Sequence, residues 1–228
     1  MPGLPAEMGE SAGIKNKEEL VLKAFRLAVA AFSLSIMFAA LADAQVRFDA
    51  YFGMGTARAS STHQLVDFTG TGNPVETPPM DGVFGTFGFG AMFKPSFGVG
   101  AQVSLRFSQG DYAGFGYRPI FYDFNGIWTP SLARRIVPEF QAGLGGLNLR
   151  FYNPTYYYYN YSTGNYSNFA GSSNHFQLHA AAGLRIFVTD RIFVRPQIDY
   201  HWVHNLTEFE GNSVPAYSIA IGYSSESR

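Results

Sequence analysis

The chain has 228 residues, of which 46% are hydrophobic, 17% aromatic and only 14% charged, and it contains no cysteine. The formal net charge of −1 gives no electrostatic reason to expect a nucleic-acid partner. Without cysteine there is no disulfide scaffold, no thiol nucleophile and no cysteine metal site. Lysine occurs only at Lys15, Lys17, Lys23 and Lys94. A soluble domain normally covers its surface with Lys and Glu, so this distribution is unusual for one.

The N-terminal segment has the pattern of an export signal. Lysines and Arg26 precede an apolar run over residues 27–41, and the run ends in Ala42-Asp43-Ala44, the small-x-small pattern that signal peptidase recognises. The run is shorter than the roughly 20 residues of a transmembrane helix. We therefore predict a signal-peptide helix within residues 1–44, cleaved after Ala44, and one domain over residues 45–228. A retained N-terminal anchor helix in the inner membrane is the alternative.

From residue 45 onward, apolar residues alternate with polar or small ones, which is the pattern of β-strands. Eight such segments follow one another, and none is followed by a helical pattern. Their predicted ranges are Val46–Gly55, Gly82–Phe93, Phe97–Ser108, Phe115–Thr129, Ile136–Tyr152, His175–Val188, Arg191–Val203 and Val214–Ser224.

The fifth segment changes parity along its length. Its apolar residues occupy even positions over Phe140–Leu144 and odd positions over Leu147–Phe151, on either side of Gly145-Gly146. One extra residue in a strand exchanges its two faces. We therefore predict a β-bulge at this glycine pair.

The connections indicate a barrel with two unlike ends. Long polar loops at residues 59–81, 109–114, 153–174 and 204–213 alternate with short turns at residues 94–96, 130–135 and 189–190. The apolar face is almost free of charge, as contact with lipid requires, because an Arg or Lys there costs about 2–4 kcal/mol at the bilayer midplane. The sequence thus predicts an all-β protein, an eight-stranded antiparallel up-and-down transmembrane β-barrel. A soluble ligand-binding barrel with its apolar face inside is the alternative.

Aromatic residues are predicted to form two girdles at the membrane boundaries. Tyr117 and Phe193 are candidates by their position along the strands but point inward by strict parity. The candidates near the short turns are Phe93, Phe97, Trp128, Phe187 and Phe193, and those near the long loops are Tyr117, Phe151, Tyr152, Tyr200 and Trp202.

This pattern resembles the small eight-stranded outer-membrane β-barrel family of Gram-negative bacteria, the OmpA/OmpX-like type, from Gln45 to about Ser224. The resemblance implies location in the cell outer membrane, contact with lipid and lipopolysaccharide, and insertion by the barrel-assembly machinery. It also implies a porin-like architecture, and we expect a monomer. Family members usually end on an aromatic residue, whereas here Ser224–Arg228 follow Tyr223.

The predicted lumen carries a polar network. Glu139 and Arg185 lie at similar heights on neighbouring strands, as do His179 and Asp199, so each pair is expected to form a contact. Because an eight-stranded interior is only wide enough for side chains, we predict a structural plug; a narrow ion pathway is the alternative. The network is predicted to comprise Arg47, Asp49, Arg106, Arg118, Asp123, Glu139, Arg150, His179, Arg185, Arg195, Asp199 and His201.

No catalytic, cofactor-binding or metal-ligating residue is predicted. A metal or acid–base cluster of His175, His179, Asp199 and His201 is the alternative, but residues i and i+4 on a strand are about 13 Å apart. A lipid-A-modifying enzyme would need a Ser–His pair, and the nearest sequence is Ser172-Ser173-Asn174-His175. We therefore predict a non-enzymatic protein.

The external loop Asn153–Asn174 is rich in tyrosine, asparagine, serine and glycine, a composition found in binding surfaces. Extension of the outer aromatic girdle is an equally weighted alternative. The sequence predicts a structural or surface-interaction role, with candidate contacts at Tyr156, Tyr157, Tyr158, Tyr159 and Tyr161.

Overall fold

The computed structural model describes residues 46–60, 63–67, 70–130, 135–161 and 164–225. The predicted signal peptide, residues 1–44, lies outside the described residues, and so do the last three residues of the C-terminal tail. No helix among the described residues is both long and apolar enough to cross a membrane.

Eight long antiparallel strands form the barrel, each paired with the next along the chain. The first strand also pairs with the last, from Asp49 opposite Ser224 to Ala57 opposite Ala216, which closes the barrel. This confirms the predicted fold class. The strands are β1 Arg47–Ala57, β2 Phe84–Lys94, β3 Phe97–Arg106, β4 Phe115–Trp128, β5 Ile136–Tyr152, β6 Phe169–Phe187, β7 Ile192–Val203 and β8 Ser213–Ser224.

The two ends of the barrel differ as the loop lengths predict. Short turns join β2 to β3, β4 to β5 and β6 to β7, and the other four connections are longer. Three of the longer connections contain short strands: Leu65–Val66 pairs with Val75–Glu76, Gly110–Tyr112 pairs with the start of β4, and Tyr158–Asn160 pairs with Asn165–Ser167.

Strand β6 begins six residues earlier than its predicted start at His175. The segment Phe169–Asn174 pairs with the end of β5, with a register shift between Phe169 and Gly171. Its small and polar side chains suggest a loop, but backbone hydrogen bonds to β5 extend the strand. The predicted loop Asn153–Asn174 is therefore shorter than expected.

Apolar side chains cover the outside of the barrel. Phe52, Phe124 and Ile221 are among many large apolar residues that are exposed. On β5 and β6 the apolar rows run from the pair Ile136–Ile186 to the pair Gly146–Phe176. Five steps of two residues on strands tilted by about 40° give a belt about 25 Å tall, which matches the apolar band of outer-membrane barrels.

The aromatic girdle prediction is correct for some residues and wrong for others. Phe97, Trp128, Tyr200 and Trp202 are exposed on the outer surface. Tyr117, Phe187 and Phe193 are buried inside the barrel instead, because they have inward parity. Position along the strand brings a residue to the membrane boundary, but parity decides whether it meets lipid.

The predicted bulge at Gly145-Gly146 is wrong. The register of β5 is continuous through both glycines against β4 and against β6. The parity therefore continues, and Leu147 and Leu149 point inward with no exposed surface. The change in the sequence pattern reflects a change in the lumen, which becomes apolar near the long loops.

Candidate functional site

The barrel interior holds two apolar clusters. The one near the short turns packs Tyr51, Val137, Phe187, Phe193 and Ala220 together. A larger apolar cluster lies near the long loops, and polar side chains lie beside the first cluster and between the two. The larger cluster comprises Ala57, Ala59, Met80, Phe84, Tyr112, Tyr117, Phe121, Leu147, Leu149, Val203, Leu206, Phe209 and Val214.

Sequence reasoning missed the larger apolar cluster. Leu147 and Leu149 were expected to face lipid because an apolar residue in a membrane barrel is usually read as outward. The alternation of side-chain direction along β5 continues without interruption from Glu139 to Phe151, and this continuity places both leucines inside. Leu206 and Phe209 come from the loop after β7, where strand parity gives no information about side-chain direction.

Glu139 is the centre of a buried ionic cluster. Its carboxylate contacts the guanidinium of Arg185 and lies 2.6 Å from Nη2 of Arg195. Arg185 also contacts Asp49, and Nε of Arg47 lies 3.4 Å from Oδ1 of Asp49. The structure thus brings Glu139 and Arg185 together as predicted, and neighbouring charges neutralise one another inside the barrel.

Aromatic rings and glycines shape the space around this ionic cluster. The guanidinium of Arg195 lies 4.0 Å from the ring centroid of Tyr51, a cation–π distance. That ring lies against Gly88, where a Cβ atom would overlap it. Gly222 leaves the same kind of space for Phe193. Inward-facing glycines therefore allow large side chains to fit a narrow lumen.

A second polar cluster surrounds Asp199. His179 contacts Oδ1 of Asp199 through Nε2 at 2.9 Å, which is the second predicted pair. Gln102 and Gln197 donate to the same carboxylate at 3.2 and 2.5 Å. The hydroxyl of Tyr51 donates to Oε1 of Gln102 at 2.8 Å. This bond links the Asp199 cluster to the Arg195 side of the lumen.

The geometry around the histidines can be compared with a metal site. Asp123, His179 and His201 offer ligand atoms within 4.8 Å of one another. Both ring nitrogens of His179 already have partners, since Nδ1 lies 2.9 Å from Oδ1 of Asn125. The ring of His201 stacks against His179 and Phe121, with centroids 4.8 and 4.5 Å apart. These contacts hold the side chains as a packed network.

His175 lies away from the other histidines, near the long loops. Its Nε2 atom is 3.1 Å from Oγ of Ser173 and 3.2 Å from Oε2 of Glu208. A serine triad uses the two different ring nitrogens for the hydroxyl and the carboxylate, whereas here a single nitrogen contacts both groups. The arrangement therefore differs from that of a serine hydrolase.

A cleft of about 730 Å³ opens near the long loops, and Asp67, Glu208 and Glu210 are among the residues that line it. The Tyr112 hydroxyl donates to the backbone carbonyl oxygen of Glu208. Burial, followed by the charges of Glu208 and Glu210, raises the pKa of Tyr112 to about 12. Tyr112 therefore stays neutral and tethers the last long loop to the hairpin between β3 and β4.

Arg118 and Arg150 correct the predicted lumen network. Both side chains point away from the lumen, because outward parity on β4 continues from Tyr122 through Ile120 to Arg118 and the absent bulge leaves Arg150 outside. Arg106, in contrast, faces the lumen, and its guanidinium lies 5.2 Å from the ring centroid of Tyr117. The remaining predicted network residues are all buried in the interior.

The tyrosine-rich segment forms a small hairpin beyond the barrel. Tyr156, Tyr157, Tyr159 and Tyr161 are exposed, and Tyr161 retains 91% of its accessible surface. The ring of Tyr159 makes edge contacts with Tyr161 and Tyr166 at centroid distances of 5.0 and 5.2 Å. Tyr158 lies in the first strand of the hairpin. The hairpin thus presents clustered aromatic rings to its surroundings.

No family model matches this sequence, and no curated protein matches it either. Solved structures share its fold. Neisserial surface protein A matches with a TM-score of 0.50 at 11% identity, covering 78% of this chain and 95% of that one. OprG of Pseudomonas aeruginosa matches at 0.48 and 12% identity, covering 79% and 96%. Ail of Yersinia pestis matches at 0.47 and 12% identity, covering 78% and 97%.

The likeness to Neisserial surface protein A bears on the fold alone. This chain has the fold of the small eight-stranded outer-membrane β-barrels.

Proposed function

We propose that this chain is an outer-membrane β-barrel protein of a Gram-negative bacterium, with a structural and surface-interaction role, a lumen closed to ions and no enzymatic activity. It is exported by its cleaved signal peptide, inserted by the barrel-assembly machinery and monomeric in the membrane, with lipid and lipopolysaccharide around it. The observation that carries the proposal is the filled interior: buried ion pairs and apolar side chains share the end near the short turns, and a larger apolar cluster fills the end near the long loops. The apolar belt outside supports the membrane location.

The contents of the lumen support its closure. A conducting pore needs a continuous hydrated path, but Glu139 is ion-paired with Arg185 and Arg195, and Leu147 and Leu149 have no exposed surface. Eight strands leave room only for side chains. Ions would have to cross the apolar cluster near the long loops without water, at a large desolvation cost.

Planar-bilayer recording tests the closed lumen. The refolded protein, reconstituted in 1 M KCl, is expected to give no stable conductance steps, whereas a refolded porin recorded in parallel gives steps. The proposal is wrong if the unaltered protein conducts in discrete steps that scale with salt concentration.

The tyrosine hairpin is the proposed contact surface, and its alternative role is contact with lipid headgroups. The protein has only two tryptophans, so Trp128→Phe and Trp202→Phe provide a background for the reporter Tyr161→Trp. We expect acrylamide to quench this reporter and brominated lipid to leave it unaffected. The control is the Trp202→Phe protein, whose remaining Trp128 lies in the belt and should be quenched by brominated lipid. Quenching of the Tyr161→Trp reporter by brominated lipid would favour the girdle role.

A further inference from the structure

Two arginines lie side by side on the outside of the barrel. Arg118 on β4 and Arg150 on β5 are directly opposite each other in the register, and both point outward. Side chains at such positions have Cβ atoms about 4.5–5.5 Å apart, and like charges there repel. Among the residues that the structure describes, neither guanidinium forms an ion pair with a carboxylate. The pair thus lacks a counter-charge.

The surrounding contacts hold both guanidiniums in place without neutralising them. Arg118 donates through Nη2 to the carbonyl oxygen of Phe107 at 3.2 Å, and its guanidinium lies 5.9 Å from the ring centroid of Tyr152. Arg150 donates through Nε to Oδ1 of Asn148 at 3.1 Å. An arginine has five N–H donors. Nε of Arg118 is buried, and the terminal N–H groups that these bonds leave unused are available to a ligand.

An acidic residue on the short strand Gly110–Tyr112, which pairs with the start of β4, does not supply the missing charge. Asp111 lies in the row beyond the arginines, opposite Gly116. Its Oδ1 atom accepts a hydrogen bond from the backbone amide of Gly114 at 3.4 Å. It makes no ion pair with Arg118 or Arg150.

The height of the pair on the barrel indicates where its ligand lies. The last apolar row contains Tyr122, Gly146 and Phe176, and the arginine row is two residue pairs further toward the long loops. This spacing corresponds to about 10 Å along the axis of a tilted barrel. The pair therefore reaches the level of lipid headgroups when the apolar belt spans the hydrocarbon core.

Neutral amides lie between the arginines and the belt. Asn148 is on the row beneath Arg150 and donates to Oδ1 of Asn174 at 2.8 Å. Amide side chains both donate and accept hydrogen bonds, which suits sugar hydroxyl groups. A site with arginines for a phosphate and amides for sugar hydroxyl groups matches the headgroup of a phosphorylated glycolipid better than that of a phospholipid with a small alcohol.

We propose that Arg118 and Arg150 form a binding site for the phosphate of a phosphorylated glycolipid in the outer leaflet, with Asn148 and Asn174 contacting its sugar. The proposal rests on the proposed location of the barrel in the outer membrane. Guanidinium groups bind phosphate through paired, charge-assisted hydrogen bonds, and the ligand relieves the repulsion between the two arginines.

The test is titration of the refolded full barrel with diphosphoryl lipid A, followed by native mass spectrometry from detergent. The double variant Arg118→Gln and Arg150→Gln is expected to bind at least about tenfold more weakly than the unaltered protein, because charged hydrogen bonds are lost. Arg58→Gln is the matched control, since Arg58 is an exposed arginine beyond the end of β1. It should change the affinity less than twofold.

Two further lipids define the chemistry of the site. Lipid A from which both phosphates have been removed should lose its affinity for the barrel. Phosphatidylglycerol should bind at least about tenfold more weakly than diphosphoryl lipid A. Equal binding by the double variant, or by the dephosphorylated lipid, overturns phosphate recognition. Equal binding of phosphatidylglycerol overturns the choice of a glycolipid.

Folding and membrane insertion are measured separately for each variant, by heat-modifiable gel mobility and by flotation with lipid vesicles. A protein that inserts into vesicles but does not bind lipid A contradicts only this inference. A protein that stays soluble without detergent contradicts the proposed outer-membrane location as well.

Discussion

Glu139 shows how one residue can determine the stability of the barrel interior. Its side chain is fully buried and is shared between Arg185 and Arg195. Removing two arginines from water costs free energy, and the negative charge that compensates them has to come from side chains within the barrel. Losing this carboxylate would leave two cations facing each other with Asp49 as the remaining acid beside Arg185.

We expect Glu139→Gln to lower the free energy of unfolding by about 3–5 kcal/mol, the cost of breaking a buried ion pair by removing one partner. Urea unfolding in lipid vesicles, followed by tryptophan fluorescence, measures the change. Glu76→Gln is the control, because the ion pair of Glu76 with His63 is exposed, and exposed pairs contribute at most about 1 kcal/mol. Equal stability of the Glu139→Gln variant and the unaltered protein would mean that the cluster does not stabilise the barrel.

Strand β5 shows how far the sequence can predict an element and its faces. Alternating apolarity predicted all eight strands, and the pairs Glu139–Arg185 and His179–Asp199 followed from counting residues along neighbouring strands. The faces of Leu147–Phe151 could not be assigned in the same way. In a membrane barrel apolar residues face lipid, but a narrow lumen also holds apolar clusters, so hydrophobicity alone does not distinguish the two sides.

The β5 assignment has a direct chemical test, because the protein has no cysteine of its own. In the folded, reconstituted barrel, Arg150→Cys should react quickly with a water-soluble maleimide, whereas Leu149→Cys should react only after unfolding in urea. Arg150 is exposed and Leu149 is completely buried. Rapid labelling of Leu149→Cys together with protection of Arg150→Cys would instead support a bulge at Gly145-Gly146.

At the scale of the whole molecule, lysine is concentrated where the predicted leader lies. Three of the four lysines precede residue 24, and the barrel domain carries Lys94 alone. The remaining charge of that domain is arginine and acid, and seven of these side chains are buried in the lumen. The predicted leader and the barrel thus differ in the kind of charged residue that they carry.

We expect the exported protein to begin at Gln45. Intact-mass measurement and N-terminal sequencing of the protein from isolated outer membranes check this prediction, and an Ala42→Leu and Ala44→Leu variant should retain the leader because peptidase prefers small residues there. Recovery of an outer-membrane protein that still contains Lys15 would contradict cleavage after Ala44.

The pairing of β1 with β8 has a consequence for the order of assembly. β1 lies at the start of the domain and cannot complete its pairing before β8, at the end of the domain, is in place. Until then β1 and β8 each expose an unpaired backbone edge. Contacts between such distant parts of the chain form slowly. The pairing extends into the tail, where the backbone amide of Ser225 donates to the carbonyl oxygen of Phe48 at 2.8 Å. Truncating the chain before Tyr217 would therefore leave an open sheet that is prone to joining other chains.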